Sequence, residues 1–407
     1  MNQSYELIVI GAGPAGISAA IAAARRGVST LVLDEYMKPG GRLLGQLHQE
    51  PDGTWWNGIR EAHALVRDAT DAGTTIRTGI SVSALERGED GSWTLWTGGG
   101  TLRASNVLLA TGAAESAAPL PGWTLPGVMS IGAAQVMTNV QRVRVGERGV
   151  VIGMNVLAMA IVSELRLAGI ELAAIVLPPL NPLTGHASEP RQVLRSLLRF
   201  AHLAPSPLLR YGAPLIRTPA LQRLALSLYP RSGMRIWNTP LQLRRSAVEI
   251  VGRDAVEGVR IVDVRPDGTP VPGSESFVEA DFACIAGGLY PLAELAAVAG
   301  CPFRYLPELG GHIPVHDERM RTPLKGLFVA GNITGVESAK VAIAQGALAG
   351  LSIALEAAAA SQAPDESELL AATQRVKQAR RDALIQFDPG IEAGRERLYD
   401  EAAALHR

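Results

Sequence analysis

Cysteine is nearly missing from this chain: 407 residues contain two, Cys284 and Cys301. Two thiols cannot build the disulfide framework of a small secreted domain, and they cannot ligate a four-cysteine iron–sulfur cluster. An excess of charge of either sign is missing as well. Lys plus Arg is 38 and Asp plus Glu is 39, which leaves no basic surplus for nucleic acid. Long apolar runs are interrupted: the stretch 150–176 is broken by Glu164, Arg166 and Glu171, so it does not read as a membrane span. No secretory leader is expected ahead of a first strand that begins near Tyr5. These absences together predict a soluble protein of a reducing cytoplasm.

Glycine and apolar residues are plentiful, with 43 glycines and 47% hydrophobic residues. That balance and length predict a loop-rich α/β enzyme of two or three domains. The run YELIVIGAG is a strand that ends in glycines, and Gly11, Gly13 and Gly16 complete G-x-G-x-x-G. Gly11 permits the tight turn, Gly13 lets backbone approach a pyrophosphate, and Gly16 lets helix and strand pack closely. Pro14 suits a first helical position, where its missing N–H is no loss. Ala15 follows it at the positive end of the helix, where anions bind. The next strand, VSTLVLDE, ends in Asp34 and Glu35, and Asp34 lies 23 residues beyond Gly11, the spacing of a ribose-binding acid.

The segment VVIGMNVLAMAIVSELRLAG, 150–169, repeats the rhythm with different residues. Gly153 matches the turn glycine, but Asn155 stands in the second glycine position, followed by Val156, and Ala158 stands in the third. A side chain at Asn155 crowds the place where a pyrophosphate would meet bare backbone. Counting 23 residues on from Gly153 reaches Val176, with no carboxylate for a ribose. Losing one charge-assisted hydrogen bond alone weakens binding by about 1.5–3 kcal/mol, roughly ten- to a hundredfold or more. The expectation is a second dinucleotide fold without a tight NAD(P) site. An empty cleft or a different nucleotide remains open there.

Several later segments carry a resemblance. VLLATGA contributes Ala110, Thr111 and Gly112, and LKGLFVAGNITG contributes Gly331 and Asn332 ahead of a long helix. With VLDEYMKPGGRL, which holds Gly41 and Arg42, these resemble the FAD signatures of the pyridine nucleotide-disulfide oxidoreductase superfamily. Members usually carry Asp where this chain has Asn332; an amide can still donate and accept there, without charge. The segments ATGAAESAAPLPGWTLPGVMSIGAAQ, ADFACIAGGLYPLAELAAVAGCPFRY and GGHIPVHDERMRTPLKGLFVAGNITG narrow the resemblance. They are similar to the FAD-containing alpha subunits of heteromeric amine and imino-acid dehydrogenases: opine oxidase, hydroxyproline and proline dehydrogenases, hydrogen cyanide synthase and sarcosine oxidase.

The resemblance implies an α/β fold with two Rossmann-like domains, the second inserted in the first. The FAD-binding domain is expected over 1–118 and 289–360. The second, degenerate domain is expected over 119–288, with a helical insert at 189–232, and a helical tail over 361–407. The implied cofactor is FAD, with room left for a second nucleotide or flavin at a subunit interface. The implied partners are an FAD-containing beta subunit that oxidises the C–N bond of an amino, imino or opine-type acid, and a small iron–sulfur subunit. Any iron–sulfur centre would belong to that partner. Thioredoxin reductases place C-x-x-C in the region that here reads GVMSIGAAQVMTNVQ, so disulfide reduction is not expected.

No general base, nucleophile triad or metal cluster stands out, and no catalytic residue or metal ligand is assigned. His312 and His316 read as surface or structural residues. Two alternatives remain: a self-sufficient NAD(P)H-dependent flavin reductase, and a non-catalytic nucleotide-binding scaffold. The insert 189–232 holds seven arginines and one acid, Glu189. Arg191, Arg195 and Arg199 form one basic helical stripe, while Leu194, Leu197, Leu198 and Ala201 line an apolar one, and Pro205, Pro207, Pro214 and Pro219 break the insert into short helices. Packing on its own domain, docking to a partner and peripheral membrane contact are all open for it. The tail could cover the FAD domain or a partner.

Overall fold

The computed structural model describes residues 4–50, 52–203, 207–216, 218–357 and 360–405, with no side-chain detail for 207–209 and 214. Pro205, and the outermost residues of the expected first and last segments, lie outside the described residues. The chain divides into two compact units. The first comprises residues 1–46, 56–114 and 289–407, and the second residues 47–55 and 115–288.

The first unit is built on a seven-stranded sheet. Strands Thr75–Thr78, Thr30–Asp34, Ser4–Ile10 and Gly100–Leu109 lie side by side and parallel. Gly100–Leu109 is long enough to serve two neighbours: its start pairs antiparallel with Trp93–Thr97, and its end pairs parallel with Leu327–Val329. A parallel sheet is covered on both faces, which is why LIVI and LVL read as continuous apolar runs. One face carries Leu7, Val9 and Val32 against helices Pro14–Ala24 and Ala339–Glu356. The other carries Ile8, Ile10, Leu31 and Leu33 with Trp93 and Leu95.

The helix Ala339–Glu356 is long and apolar enough to cross a membrane by composition alone, yet over half of it is buried in the unit. Its glycines explain the burial. A Cβ on Gly346 would stand 2.0 Å from the carbonyl of Ala15, and one on Gly350 2.3 Å from that of Ala19. The two helices therefore touch backbone to backbone through Gly and Ala. The tail also belongs to this unit: helix Glu366–Arg381 adds Leu369, Ala372 and Val376 to the same core. Helix Ile391–Leu405 buries Ile391, Leu398 and Ala402 against Leu306, Leu309 and Ile313.

The second unit repeats the plan on an eight-stranded sheet. Val128–Ser130, Phe282–Ile285, Arg148–Ile152, Glu171–Leu177 and Thr239–Val251 are parallel neighbours. Gly258–Asp263 and Ser276–Glu279 extend it antiparallel. Cys284 sits in the buried strand, and burial pushes its thiol up to about 12; burial does the same to Cys301. Both thiols are free and unreactive at neutral pH. Helix Pro190–Arg199 turns Val193, Leu194 and Leu197 onto this unit's own core and leaves Arg191, Arg195 and Arg199 exposed.

Candidate functional site

In the first unit the strand Ser4–Ile10 ends at Gly11, whose φ of +106° favours glycine and whose added Cβ would stand 2.4 Å from the Ala110 carbonyl. Its N–H bonds the Leu33 carbonyl at 2.8 Å, which ties the turn to the neighbouring strand. A Cβ on Gly16 would meet the Gly11 carbonyl at 1.9 Å, so helix and turn close only on glycine. Gly13 differs from both. It precedes helix Pro14–Ala24 with extended backbone and no side-chain cap, and a Cβ there would meet nothing within 4 Å. The helix thus begins at open space, with the first-turn N–H groups of Ala15 and Gly16 lacking intrahelical acceptors.

Asp34 closes the turn from the next strand. Its Oδ2 accepts from the Ala12 N–H at 2.6 Å and its Oδ1 from the Tyr36 N–H at 2.8 Å. Glu35 beside it is exposed. The Gly-Gly turn lies across from Gly13: Gly40 donates its N–H to the Ala12 carbonyl at 2.7 Å, and a Cβ on Gly41 would come within 2.9 Å of the Gly13 Cα. Arg42 donates through Nε to the Ala113 carbonyl at 3.1 Å. The Ala110 N–H bonds the Ile10 carbonyl, the Thr111 hydroxyl donates to the Leu292 carbonyl at 2.5 Å, and the Gly112 carbonyl accepts from the Leu292 N–H.

The later signature reaches the same turn. A Cβ on Gly331 would lie 2.8 Å from the Ala15 Cβ, and Gly331 donates its N–H to Gln345 Oε1 at 2.9 Å. Asn332 Oδ1 accepts from the Glu337 N–H at 3.2 Å. Every residue assigned to the first site from the sequence thus lies in one unit. Reading the sequence missed Gly40, Gln345, Gly346 and Gly350. The four-residue spacing of Gly346 and Gly350 was the available signal, because it puts both on one helical face.

The second copy keeps the turn glycine and its bond to the next strand, carries Ala158 where the first has Gly16, and has a different mouth. Gly153 has φ +121°, its Cβ would stand 2.4 Å from the Ala286 carbonyl, and its N–H bonds the Val176 carbonyl at 2.8 Å. Asn155 then caps helix Val156–Leu167: its Oδ1 accepts from the Ala158 N–H at 2.9 Å and its Nδ2 donates to the Ala286 carbonyl at 3.0 Å. The side chain takes the helix N-terminus that an anion would use. One assignment shifts. Gly153 bonds Val176 as Gly11 bonds Leu33, so the position matching Asp34 is Leu177, one residue beyond Val176, and it is fully buried.

That unit holds one unusual carboxylate. Glu164, 4% exposed, accepts from Gln135 Nε2 at 2.7 Å, Asn139 Nδ2 at 2.9 Å and the Leu47 N–H at 3.1 Å. Burial outweighs these donors and raises its carboxyl to about 7. His316, fully buried in the first unit, donates its Nδ1–H to the Pro314 carbonyl at 2.8 Å, and burial holds it down to about 4. Among the described residues no group of His, Cys, Asp and Glu could hold a metal ion.

An open glycine turn, an acid at the end of the neighbouring strand and a duplicate Rossmann unit define a flavoprotein of the two-dinucleotide-domain class, and the donors at the first turn fit the diphosphate and ribose of FAD. Residues 5–194 match the model of the pyridine nucleotide-disulphide oxidoreductase family, and residues 314–361 match the family described as glucose inhibited division protein A. It is similar to one of the subunits of opine oxidase from Agrobacterium tumefaciens, 29% identical over 86% of this chain and 65% of that protein. It is also similar to the HcnB subunit of hydrogen cyanide synthase from Pseudomonas aeruginosa, 25% identical over 95% of this chain and 77% of that one. Among solved structures, L-proline dehydrogenase of P. horikoshii shares the fold, with a TM-score of 0.64 and 19% identity over 93% of this chain and 59% of that chain. The chain therefore spans 65% of the length of the opine oxidase polypeptide it matches.

Proposed function

We propose that this chain is the FAD-binding alpha subunit of a heteromeric dehydrogenase that oxidises the C–N bond of an amino, imino or opine-type acid. Oxidation of the substrate itself takes place in an FAD-containing beta subunit, and a small iron–sulfur subunit relays electrons. The complex works in the cytoplasm. The observation that carries the reading is the contrast at the two helix starts: Gly13 opens onto free space, and Asn155 caps its own helix. One nucleotide pocket is receptive, and the partner pocket that would feed it from NAD(P)H is closed by its own side chain. The names of the relatives, subunits of an opine oxidase and of hydrogen cyanide synthase, support a multi-subunit assembly.

FAD supplies the two-electron chemistry. The N–H groups of Ala15 and Gly16 would hold its diphosphate at the positive end of the helix. Asp34, whose oxygens accept from Ala12 and Tyr36, would hold the ribose hydroxyls through its remaining lone pairs. Gly41 and Arg42 close the rim of the pocket, with Arg42 set by the Ala113 carbonyl. Ala110, Thr111, Gly112, Gly331 and Asn332 line the approach to the flavin end, and Asn332 offers an uncharged amide there.

Anaerobic stopped-flow spectroscopy tests this. The purified chain is expected to be yellow, to bleach only slowly with NADH or NADPH, and to bleach rapidly with an opine or amino acid once the beta subunit is added. Rapid bleaching of the chain alone by NADH with micromolar affinity would establish the flavin-reductase reading instead. A colourless chain that still binds its partners would establish the scaffold.

A further inference from the structure

The helical insert of the second unit ends in a helix with two apolar faces. Thr218 caps helix Pro219–Ser227, its hydroxyl accepting from the Leu221 N–H at 3.3 Å, and Pro219 takes the first helical position. Leu226 and, just past the helix end, Tyr229 are buried in the unit. Leu221, Leu224 and Leu228, spaced three and four residues apart, form a second stripe on the other side of the helix. All three are exposed, Leu228 to 74%. Leu215 and Tyr211 in the preceding turns are 73% and 80% exposed. Single exposed leucines are ordinary, but a stripe opposite a face already used for packing marks a surface that meets something.

The charge of the insert is one-sided. From Pro190 to Val248 the chain has ten arginines and no aspartate, glutamate or lysine, in a protein of net charge −1. Arg191, Arg195, Arg199 and Arg223 are exposed and form no ion pair among the described residues. The flanking carboxylates are few. Glu189 holds His186 at 2.9 Å, Asp263 is shared by Arg245 at 3.3 Å and Arg231 at 3.7 Å, Glu249 pairs with Arg260, and Asp267 lies beside Arg265. A large positive excess remains. Helix Pro190–Arg199, with the arginine stripe, packs against helix Pro219–Ser227, with the leucines.

We propose that the insert is a membrane-docking surface, its leucines seated in the headgroup layer of an anionic bilayer and its arginines on the lipid phosphates. Exposed leucines and a tyrosine among arginines are the composition of a surface that lies in that layer. Guanidiniums fork onto phosphates, and each cation near an anionic surface adds to the attraction. A protein partner presents acids at fixed points around a rim of mixed sign. Arginines recurring over residues 190–248 with no acid between them fit a continuous anionic plane instead. The proposal rests on the insert alone and is independent of the function proposed above.

Co-sedimentation of the full chain, purified with its flavin, tests this with two kinds of vesicle: phosphatidylcholine alone, and phosphatidylcholine with about one third phosphatidylglycerol. Binding to the anionic vesicles is expected to be saturable, at least about tenfold tighter than to the neutral ones, and to weaken as salt is raised. Replacing the stripe together, Leu221→Ser with Leu224→Ser and Leu228→Ser, removes exposed side chains and should weaken that binding by about tenfold or more. Flavin content and melting temperature should not change. Arg191→Gln with Arg195→Gln and Arg199→Gln should weaken it by about tenfold as well, which keeps the test decisive if the leucine variant folds poorly. Leu370→Ser, an exposed leucine of the first unit, should leave it unchanged. Absence of saturable binding to the anionic vesicles, or binding indifferent to loss of the leucines, would overturn the proposal. Loss of a dimer or of a subunit contact in the leucine variant, with no vesicle binding by the unaltered chain, would assign the surface to protein and overturn the lipid assignment.

Discussion

The two Rossmann turns of this chain are near replicas in backbone and opposites at the mouth. Gly11 and Gly153 share a positive φ, a 2.8 Å bond to the next strand and the same 2.4 Å clearance to a neighbouring carbonyl. What separates them at the mouth is two side chains, with Ala158 in place of Gly16 a further difference where helix meets turn. Gly13 against Asn155 decides whether the helix start is open, and Asp34 against Leu177 decides whether a carboxylate stands by. The lesson is that the fold is held by turn glycines and strand pairing, while the ligand is held by what those elements leave unsatisfied. A copy can lose the second and keep the first.

The sharpest way to break this comparison is to give the first turn the side chain of the second. A Cβ at Gly13 meets no atom within 4 Å and its backbone is extended, so the chain with Gly13→Asn should fold, and the new side chain is expected to cap the helix and cover the phosphate position. Purification should yield colourless protein, a loss of at least about a hundredfold in FAD affinity or some 3 kcal/mol. Retained flavin absorbance would mean that the helix start is not the discriminating feature.

A second difference is charge inside the helices. Helix Pro14–Ala24 has no ionisable residue, whereas Val156–Leu167 buries Glu164. Unfolded, this group ionises near 4.5; folded, near 7. Between those values the folded state holds the extra proton, so stability of the second unit should fall as pH rises and level off above about pH 7. The total is on the order of 3 kcal/mol. Urea unfolding at pH 5 and pH 8 should show the drop, and Glu164→Gln should flatten it.

Asp34→Ala should weaken FAD by roughly ten- to a hundredfold, about 1.5–3 kcal/mol, read by flavin fluorescence titration. The smallest effect belongs to the cap. Asn155→Ala should lower the stability of the second unit by about 1 kcal/mol, seen as a lower melting temperature. It should not create NADH affinity, because Leu177 still offers no acceptor; micromolar NADH binding by this variant would show that the cap alone had closed the site.

Much of this was legible in residue order. LIVIGAGPAG and LVLD announce strand, turn, helix and acid because each requirement is local, and Asn155 announces a blocked turn for the same reason. Other features were out of reach because they depend on pairing across the chain. Which residue matches Asp34 is fixed by the hydrogen bond from Gly153 to Val176, and counting along the sequence lands one position short. The need for Gly346 and Gly350 appears only when Ala15 and Ala19 are brought against them. Residue order does not set one arginine of the tail apart from another, and only packing shows that Arg395 is buried on Glu337.

The first unit is assembled from three separated stretches, and its strand Gly100–Leu109 waits for Leu327–Val329, just as helix Pro14–Ala24 waits for Ala339–Glu356. During translation strand Gly100–Leu109 and helix Pro14–Ala24 therefore lack these neighbours until the residues of Leu327–Val329 and Ala339–Glu356 have been made. The interrupting segment has nearly all of its partners in hand by Gly288 and can settle first. The stretches 1–46 and 56–114 must stay open meanwhile, with unpaired strand edges, and flavin capture becomes a late event in the life of the polypeptide.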